Sequence, residues 1–298
     1  LATFRGGVTA VAAREVAKAT PFALSELVDR GLVQLDDTAR YHMHELLRQY
    51  VVAQGGAAFA EAHAHYFAQW MAQRIPELRD QRQGEALRLI ELEFSNVEAA
   101  WRAGLVQDQF DLLEQIARPF TRFIHLRGRY PQGIAALEPA IERAAATGET
   151  LSEAKFRDWL GTLYFFSGEH DAALQSFQNA LELAKPGNDD QTLANISFHL
   201  AQVHHFQGNH NESLQRAERA HQHYTQADDA RGLIGTMNML GQLHRQSGEV
   251  DEGHRWFQAA IELGRASHDY YALLVPLNNL GLLLYEQGYF SRSLTCFV

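Results

Sequence analysis

The chain has 298 residues, of which 46% are hydrophobic and 21% charged, enough apolar material for a packed core and too much for a disordered segment. Its formal charge of −10 makes it a poor overall match to a phosphate backbone or an anionic membrane. The lone cysteine, Cys296, excludes an internal disulfide and fits a reducing, cytoplasmic compartment, and no run of roughly 18 apolar residues is present to span a bilayer. The start LATFRGGVTA carries neither an initiator Met nor a signal-peptide pattern, and LTCFV stops inside an expected helix, so both ends are expected to continue in a longer parent protein.

Residues 1–53 open with VTAVAAREVAKA and PFALSELVDRG, which read as short helices. VQLDD and ARYHMH then read as two strands around a polar turn, and HELLRQYVVAQ as a further helix. Helix, helix, β-hairpin, helix suggests a winged-helix unit. Such units often read DNA, but here Arg5, Arg14, Lys18, Arg30, Arg40 and Arg48 are balanced by Glu15, Glu26, Asp29, Asp36, Asp37 and Glu45. PFALSELVDRG has no basic stripe, so nucleic acid is not expected as a partner. Residues 54–113 read as a helical adaptor of three segments, AFAEAHAHYFAQWMAQRI, EALRLIELEFSNVEAAWRAG and DQFDLLEQIARPF, which caps the array that follows.

From residue 114 to 298 the chain repeats itself. Gly128, Gly168, Gly208, Gly248 and Gly288 stand 40 residues apart. Eight residues before each glycine lies Phe120, Leu160, Leu200, Leu240 or Leu280, followed by Thr121, Gly161, Ala201, Gly241 or Gly281. Further columns hold Gly133, Ala173, Ser213, Gly253 and Ser293; Leu137, Phe177, Ala217, Phe257 and Phe297; and Ala140, Ala180, Ala220 and Ala260. Within one copy Ile196, Leu200, Val203 and Phe206 recur at helical spacing, as do Leu214, Ala217, Ala220 and Tyr224 after the turn at Gly208. Each copy is therefore a pair of helices. The small residue beside each leucine allows close approach, and the Phe257-type residues fill the gap between successive pairs. Such pairs bury both faces only when stacked, giving an all-α superhelix of helical hairpins with a concave inner wall.

These columns resemble the tetratricopeptide repeat. LNNLGLLLYEQGYFSRSLTCF (277–297) shows that family's leucine–glycine pair, turn glycine, aromatic, small residue and phenylalanine in order. The usual unit is about 34 residues; the longer period here is expected to lengthen the helices or linkers such as KPGNDDQT (185–192). FRGG (4–7), LVDRGLVQ (27–34) and RYHMHELLRQY (40–50) are similar to the winged-helix region that follows the nucleotide-binding domain in STAND-type signalling NTPases, among them many bacterial transcriptional regulators. ELEFSNVEAAWRAG (91–104) resembles the linker between winged helix and repeats in the same bacterial proteins. The resemblance implies a parent whose NTPase domain precedes Leu1 and binds ADP or ATP. Met43-His44-Glu45 is similar to a Met-His-Asp motif whose histidine touches the β-phosphate of ADP, which implies a nucleotide-sensing role for His44 in that parent. The alternative is that His44 only packs at a strand-to-helix corner.

The chain itself has no GxxxxGK[ST], HExxH, CxxC or GxSxG motif, so no enzyme activity and no cofactor are expected within it. The histidine pairs His63/His65 and His221/His223 point to different helix faces, and His42/His44 has no completing ligands, so metal is not expected either. The inner wall is the expected binding surface for a protein, peptide or small molecule. By register it presents Asp158, Thr162, Phe165 and Phe166; then Phe198, Gln202, His205 and Phe206; then Asn238, Gln242 and Arg245; then Asn278, Leu282 and Tyr285. Asn and Gln can bond both the N–H and the C=O of an extended segment, and the aromatics add apolar area. The expected function is a sensing module that relays binding to a nucleotide switch in the parent; a constitutive scaffold is the alternative.

Overall fold

Thr9 and Thr20 start the first two helices by the same device. Each is extended and accepts a hydrogen bond from the backbone N–H three residues on, 3.2 Å from Ala12 and 3.2 Å from Ala23. The helices are α1 (Ala10–Ala17) and α2 (Pro21–Asp29), in a computed structural model that describes residues 1–54 and 59–297. β2 (Val33–Leu35) and β3 (Arg40–Met43) form the expected hairpin, with Val33 opposite Met43 and Leu35 opposite Tyr41. The Asp36 carboxylate holds its turn, accepting from the N–H groups of Thr38 and Arg40, both at 2.9 Å, while Ala39 takes a left-handed φ of +58°. One strand was not foreseen. Val8 and Thr9, expected to begin a helix, form β1 and pair antiparallel with Tyr41 and Arg40. Gly6 and Gly7, at φ +72° and +93°, stop a helix from starting earlier, and a Cβ on Gly7 would lie 2.5 Å from the His42 ring. The sheet order is β1-β3-β2, and α3 (Glu45–Ala53) follows.

The helix expected over 58–75 begins outside the described residues and is divided in two, α4 (Ala60–Ala72) and a short α5 (Arg74–Glu77). Pro76 has no N–H for the Ala72 carbonyl, which ends α4 there. Three long helices follow: α6 (Gln83–Val106), α7 (Phe110–Arg127) and α8 (Tyr130–Thr147). The β-sheet is tied to α6 by buried polar groups. Arg40 forms an ion pair with Glu93 that is almost out of solvent, and it donates to the Gly7 carbonyl at 3.2 Å. Asn96 donates to Glu93 (2.7 Å) and to the Gly7 carbonyl (3.1 Å), and its Oδ1 accepts from the Arg5 N–H (2.6 Å). His63 Nε2, on α4, lies 3.3 Å from the same Oδ1, so Nε2 carries a proton. Phe4 and Phe67 pack on that ring, and burial pushes its pKa down to about 4.

The chain divides into two compact units, Leu1–Gly148 and Glu149–Val298. Among its described residues the second is built of four helical hairpins: α9 (Thr150–Ser167) with α10 (His170–Ala184), α11 (Asp190–Phe206) with α12 (His210–Gln226), α13 (Ala230–Gln246) with α14 (Val250–Ala266), and α15 (Leu274–Glu286) with α16 (Phe290–Phe297). The turn glycines 168, 208, 248 and 288 all have left-handed φ, between +77° and +93°, the conformation that ends each first helix. Most of the extra length lies in the helices, for α9 has 18 residues and α11 to α14 have 17 each.

The small and large columns interlock inside each hairpin. A Cβ on Gly161 would stand 2.7 Å from Phe177, one on Gly241 2.6 Å from Phe257, and one on Gly281 2.5 Å from Phe297, so only glycine lets the ring lie flat on the facing helix. In α11/α12 both partners change together: Ala201 replaces the glycine and Ala217 the phenylalanine, with Phe198 and Met239 packed into the same cluster. The Ser213 hydroxyl donates to the Ala201 carbonyl (2.8 Å) and that of Ser293 to the Gly281 carbonyl (2.7 Å), so the small column also satisfies the backbone where the helices cross.

Candidate functional site

Within the second unit the first helices α9, α11, α13 and α15 approach one another directly, more closely than the second helices do, which puts them on the inner side of the stack. Side chains 41 residues apart bridge them. Asp158, only 4% exposed, lies with Oδ1 2.7 Å from His199 Nδ1. Asn279 donates its amide to Asn238 Oδ1 at 2.7 Å, and Arg245 pairs with Glu286 at 2.7 Å. The His199 ring also stacks on Phe177, 5.2 Å between centroids. Asp158, Asn238 and Arg245 thus hold neighbouring repeats together. Phe198 is half-buried and packs against the clusters around Ala217 and Ala220.

A second set of contacts crosses the turns at Gly128, Gly168, Gly208 and Gly288. His125 with Tyr130, Phe165 with His170, His205 with His210, and Tyr285 with Phe290 are ring pairs five residues apart, with centroids 5.3 to 6.3 Å from each other. Phe206 lies against His170 at 3.9 Å while remaining 63% exposed, and Phe165 completes that group at 6.2 Å from Phe206. Burial lowers the pKa of His204 and His205, with the charge of Arg216 adding to the first and that of His210 to the second. Burial alone lowers that of His221. These rings are therefore biased toward the neutral form.

Of the predicted wall, this leaves Thr162, Gln202 and Gln242, all half-buried, and exposed Phe166, Asn278 and Leu282, Phe166 lying edge-on to Phe165. Thr162 donates to the Asp158 carbonyl at 3.0 Å, as helical threonines often do, so its methyl is the outward group. The column 162, 202, 242 recurs once per repeat on one helix face, with two primary amides able to donate and accept. Sequence reasoning missed His199, Asn279 and Glu286, each one position beyond a residue or column it had marked. It also missed His170, although Tyr130, His170, His210 and Phe290 already form a ring-bearing column on the 40-residue period, interrupted only by Val250.

His44 sits at the strand-to-helix corner as the N-cap of α3, its Nδ1 accepting from the Leu46 N–H at 3.3 Å. That leaves Nε2 as the protonated nitrogen, a donor on an exposed ring, which fits an anionic phosphate oxygen chemically. Glu45 is taken by Arg48 through two bonds of 2.7 and 2.6 Å, and Arg48 holds its carboxyl down to about 2. Among the described residues no three His, Cys, Asp or Glu side chains cluster as metal ligands, and no helix is long and apolar enough to cross a membrane.

Comparison with known proteins agrees with this geometry. Tetratricopeptide-repeat family models match residues 152–226 and 233–268. No curated protein matches the chain by sequence. A STAND protein with a tetratricopeptide repeat sensor from Pyrococcus horikoshii superposes with a TM-score of 0.56 at 13% identity, over 99% of this chain and 48% of that one; the chain thus spans about half that protein's length. Aspartyl phosphate phosphatase F from Bacillus subtilis gives 0.57 at 10% identity, over 93% and 78%. NprR in complex with its cognate peptide NprX gives 0.51 at 15%, over 92% and 75%. At these identities the likeness is one of fold. The interlocked columns, the turn glycines and the two matched stretches together identify residues 152–226 and 233–268 as tetratricopeptide repeats.

Proposed function

We propose that the chain is the sensing arm of a STAND-type signalling NTPase, and that an extended segment of a protein or peptide lies along the inner face of residues 149–298. The observation that carries this is the column Thr162, Gln202 and Gln242: two half-buried amides at one interval, beside Asp158, Asn238 and Arg245, which are taken up in bridging. An extended backbone offers alternating N–H and C=O groups, which primary amides can match without reference to sequence. NprR, a protein of similar fold, holds a peptide, and the STAND protein of similar fold carries a repeat sensor. In this reading residues 1–53 act as a winged-helix unit that passes the event to an NTPase domain of the same parent, where ADP or ATP is bound and His44 supplies an N–H to phosphate.

Random-peptide phage selection on the full chain tests the binding half. Selected peptides should bind Gln202→Ala/Gln242→Ala about tenfold more weakly, as the loss of one or two hydrogen bonds implies. Equal affinity for the double variant overturns the assignment of the face. In the parent protein, a selected peptide that leaves ADP release unchanged favours the constitutive scaffold over the sensor.

A further inference from the structure

A cavity of about 340 Å³ opens between α6, α7 and α8, in the first unit. Ile116 and Phe120 of α7 form its floor, and Val97 and Trp101 of α6 form one wall, all four buried. The opposite wall is Ala135, Ala136 and Pro139 of α8, side chains too short to reach across to the indole. The hollow therefore follows from a mismatch of sizes, large residues on one helix facing small ones on the other. Pro139 has no N–H, so the Ala135 carbonyl lacks its helical donor four residues on, and both residues line the cavity. That wall therefore lies where α8 lacks one backbone hydrogen bond.

At the mouth stand Glu98, Arg102 and Gln132. The Arg102 guanidinium is 75% exposed and 3.7 Å from Glu98, beyond hydrogen-bond length. Burial and then Arg48 hold the Arg5 guanidinium below its ordinary value, Glu45 opposes, and Arg102 adds a smaller push, so Arg5 stands within reach of the Arg102 charge while Glu98 faces Arg102 at the mouth. The volume is that of a small-molecule site. An amphipathic helix, about 10 Å across, needs a trough several turns long.

We infer that this cavity binds a small aromatic anion. Its flat apolar body packs between Trp101, Phe120 and Pro139, its carboxylate or sulfonate pairs with Arg102, and a ring N–H or O–H meets the Ala135 carbonyl. Stacking supplies apolar burial, and the planar guanidinium matches a two-oxygen anion through paired bonds. This site does not rest on the inner face of the repeats, and its test uses different residues.

Anilinonaphthalene sulfonate, which has such a body, an N–H and a sulfonate, is the probe. Titrated into the full chain, it should bind saturably, brighten and quench tryptophan emission, with the quenching largely lost in Trp101→Phe. Arg102→Gln, at an exposed position outside the packing, should weaken binding about tenfold, the worth of a charge-assisted bond. Ala136→Phe should fill the hollow and abolish the response. Unchanged affinity in Arg102→Gln overturns the assignment, as does equally tight binding of the uncharged phenylnaphthylamine or quenching that survives Trp101→Phe.

Discussion

His63 is the side chain whose surroundings say most about pH. It is neutral, wrapped by Phe4 and Phe67, and its Nε2–H is directed to an Asn96 oxygen already fixed by the Arg5 N–H. In the folded chain it takes up a proton only near pH 4, whereas an unfolded histidine does so near about 6.5. Between those values the unfolded chain binds more protons, so stability falls as pH falls through this window. The loss is about 2.5 kcal/mol by pH 4.5. Glutamine keeps a donor at the same place and does not titrate, so His63→Gln should flatten the dependence of urea-unfolding free energy on pH between about 7.5 and 4.5. The other histidines with lowered values act in the same direction, so the readout is the difference between variant and parent sequence. An identical slope in both contradicts the assignment. Asp36 and Glu45, whose carboxyls are held down by hydrogen bonds from Thr38 and Arg48, lose their contribution at lower pH and do not confuse the reading.

Between elements, the decisive contacts are those where one helix lies on the next. Gly161 with Phe177 and Gly241 with Phe257 solve the crossing one way; Ala201 with Ala217 solve it another. Ala217→Phe alone places a ring against the Ala201 methyl and should cost about 1–3 kcal/mol in thermal or urea unfolding. Adding Ala201→Gly should recover much of that. A double variant no better than the single would show that Phe198 and Met239, not the methyl, occupy the space. This level was readable in advance, because glycine, leucine and phenylalanine columns at a fixed interval have few physical meanings. The polar bridges were not. Asp158 and His199 are 41 residues apart, off the period by one, and become partners only once adjacent helices are set side by side. β1 escaped for a different reason: two residues carry no alternation, and Thr9 serves as both strand end and helix cap. Asp158 and Asn238 therefore looked like open wall and are cross-links.

At the scale of the chain, the proposed inner face is repeated surface, and no three His, Cys, Asp or Glu side chains cluster as metal ligands among the described residues. The sequence has no phosphate-binding loop. ATP titrated calorimetrically into this chain should give only heat of dilution, and a saturable isotherm would remove the basis for placing the nucleotide elsewhere in the parent. The acidic balance, −10 overall, sets a long-range preference for partners that are not themselves strongly acidic. Stability in such an array is a sum over units and their nearest neighbours, so the bridges at Asp158–His199 and Asn238–Asn279 contribute to cooperativity between repeats more than to any one of them.

The paired exchange at Ala201 and Ala217 has a consequence for biogenesis. A ribosome releases four near-copies of one hairpin in succession, and identical modules are prone to swap halves. Here α10 taking the place of α12 against α11 would drive Phe177 into the Ala201 methyl, while α12 taking the place of α14 against α13 would leave a void the size of a benzene ring beside Gly241. Each error is penalised by steric excess or by emptiness. One odd module among similar siblings thus marks its own two helices, α11 and α12, against exchange with the glycine–phenylalanine hairpins on either side.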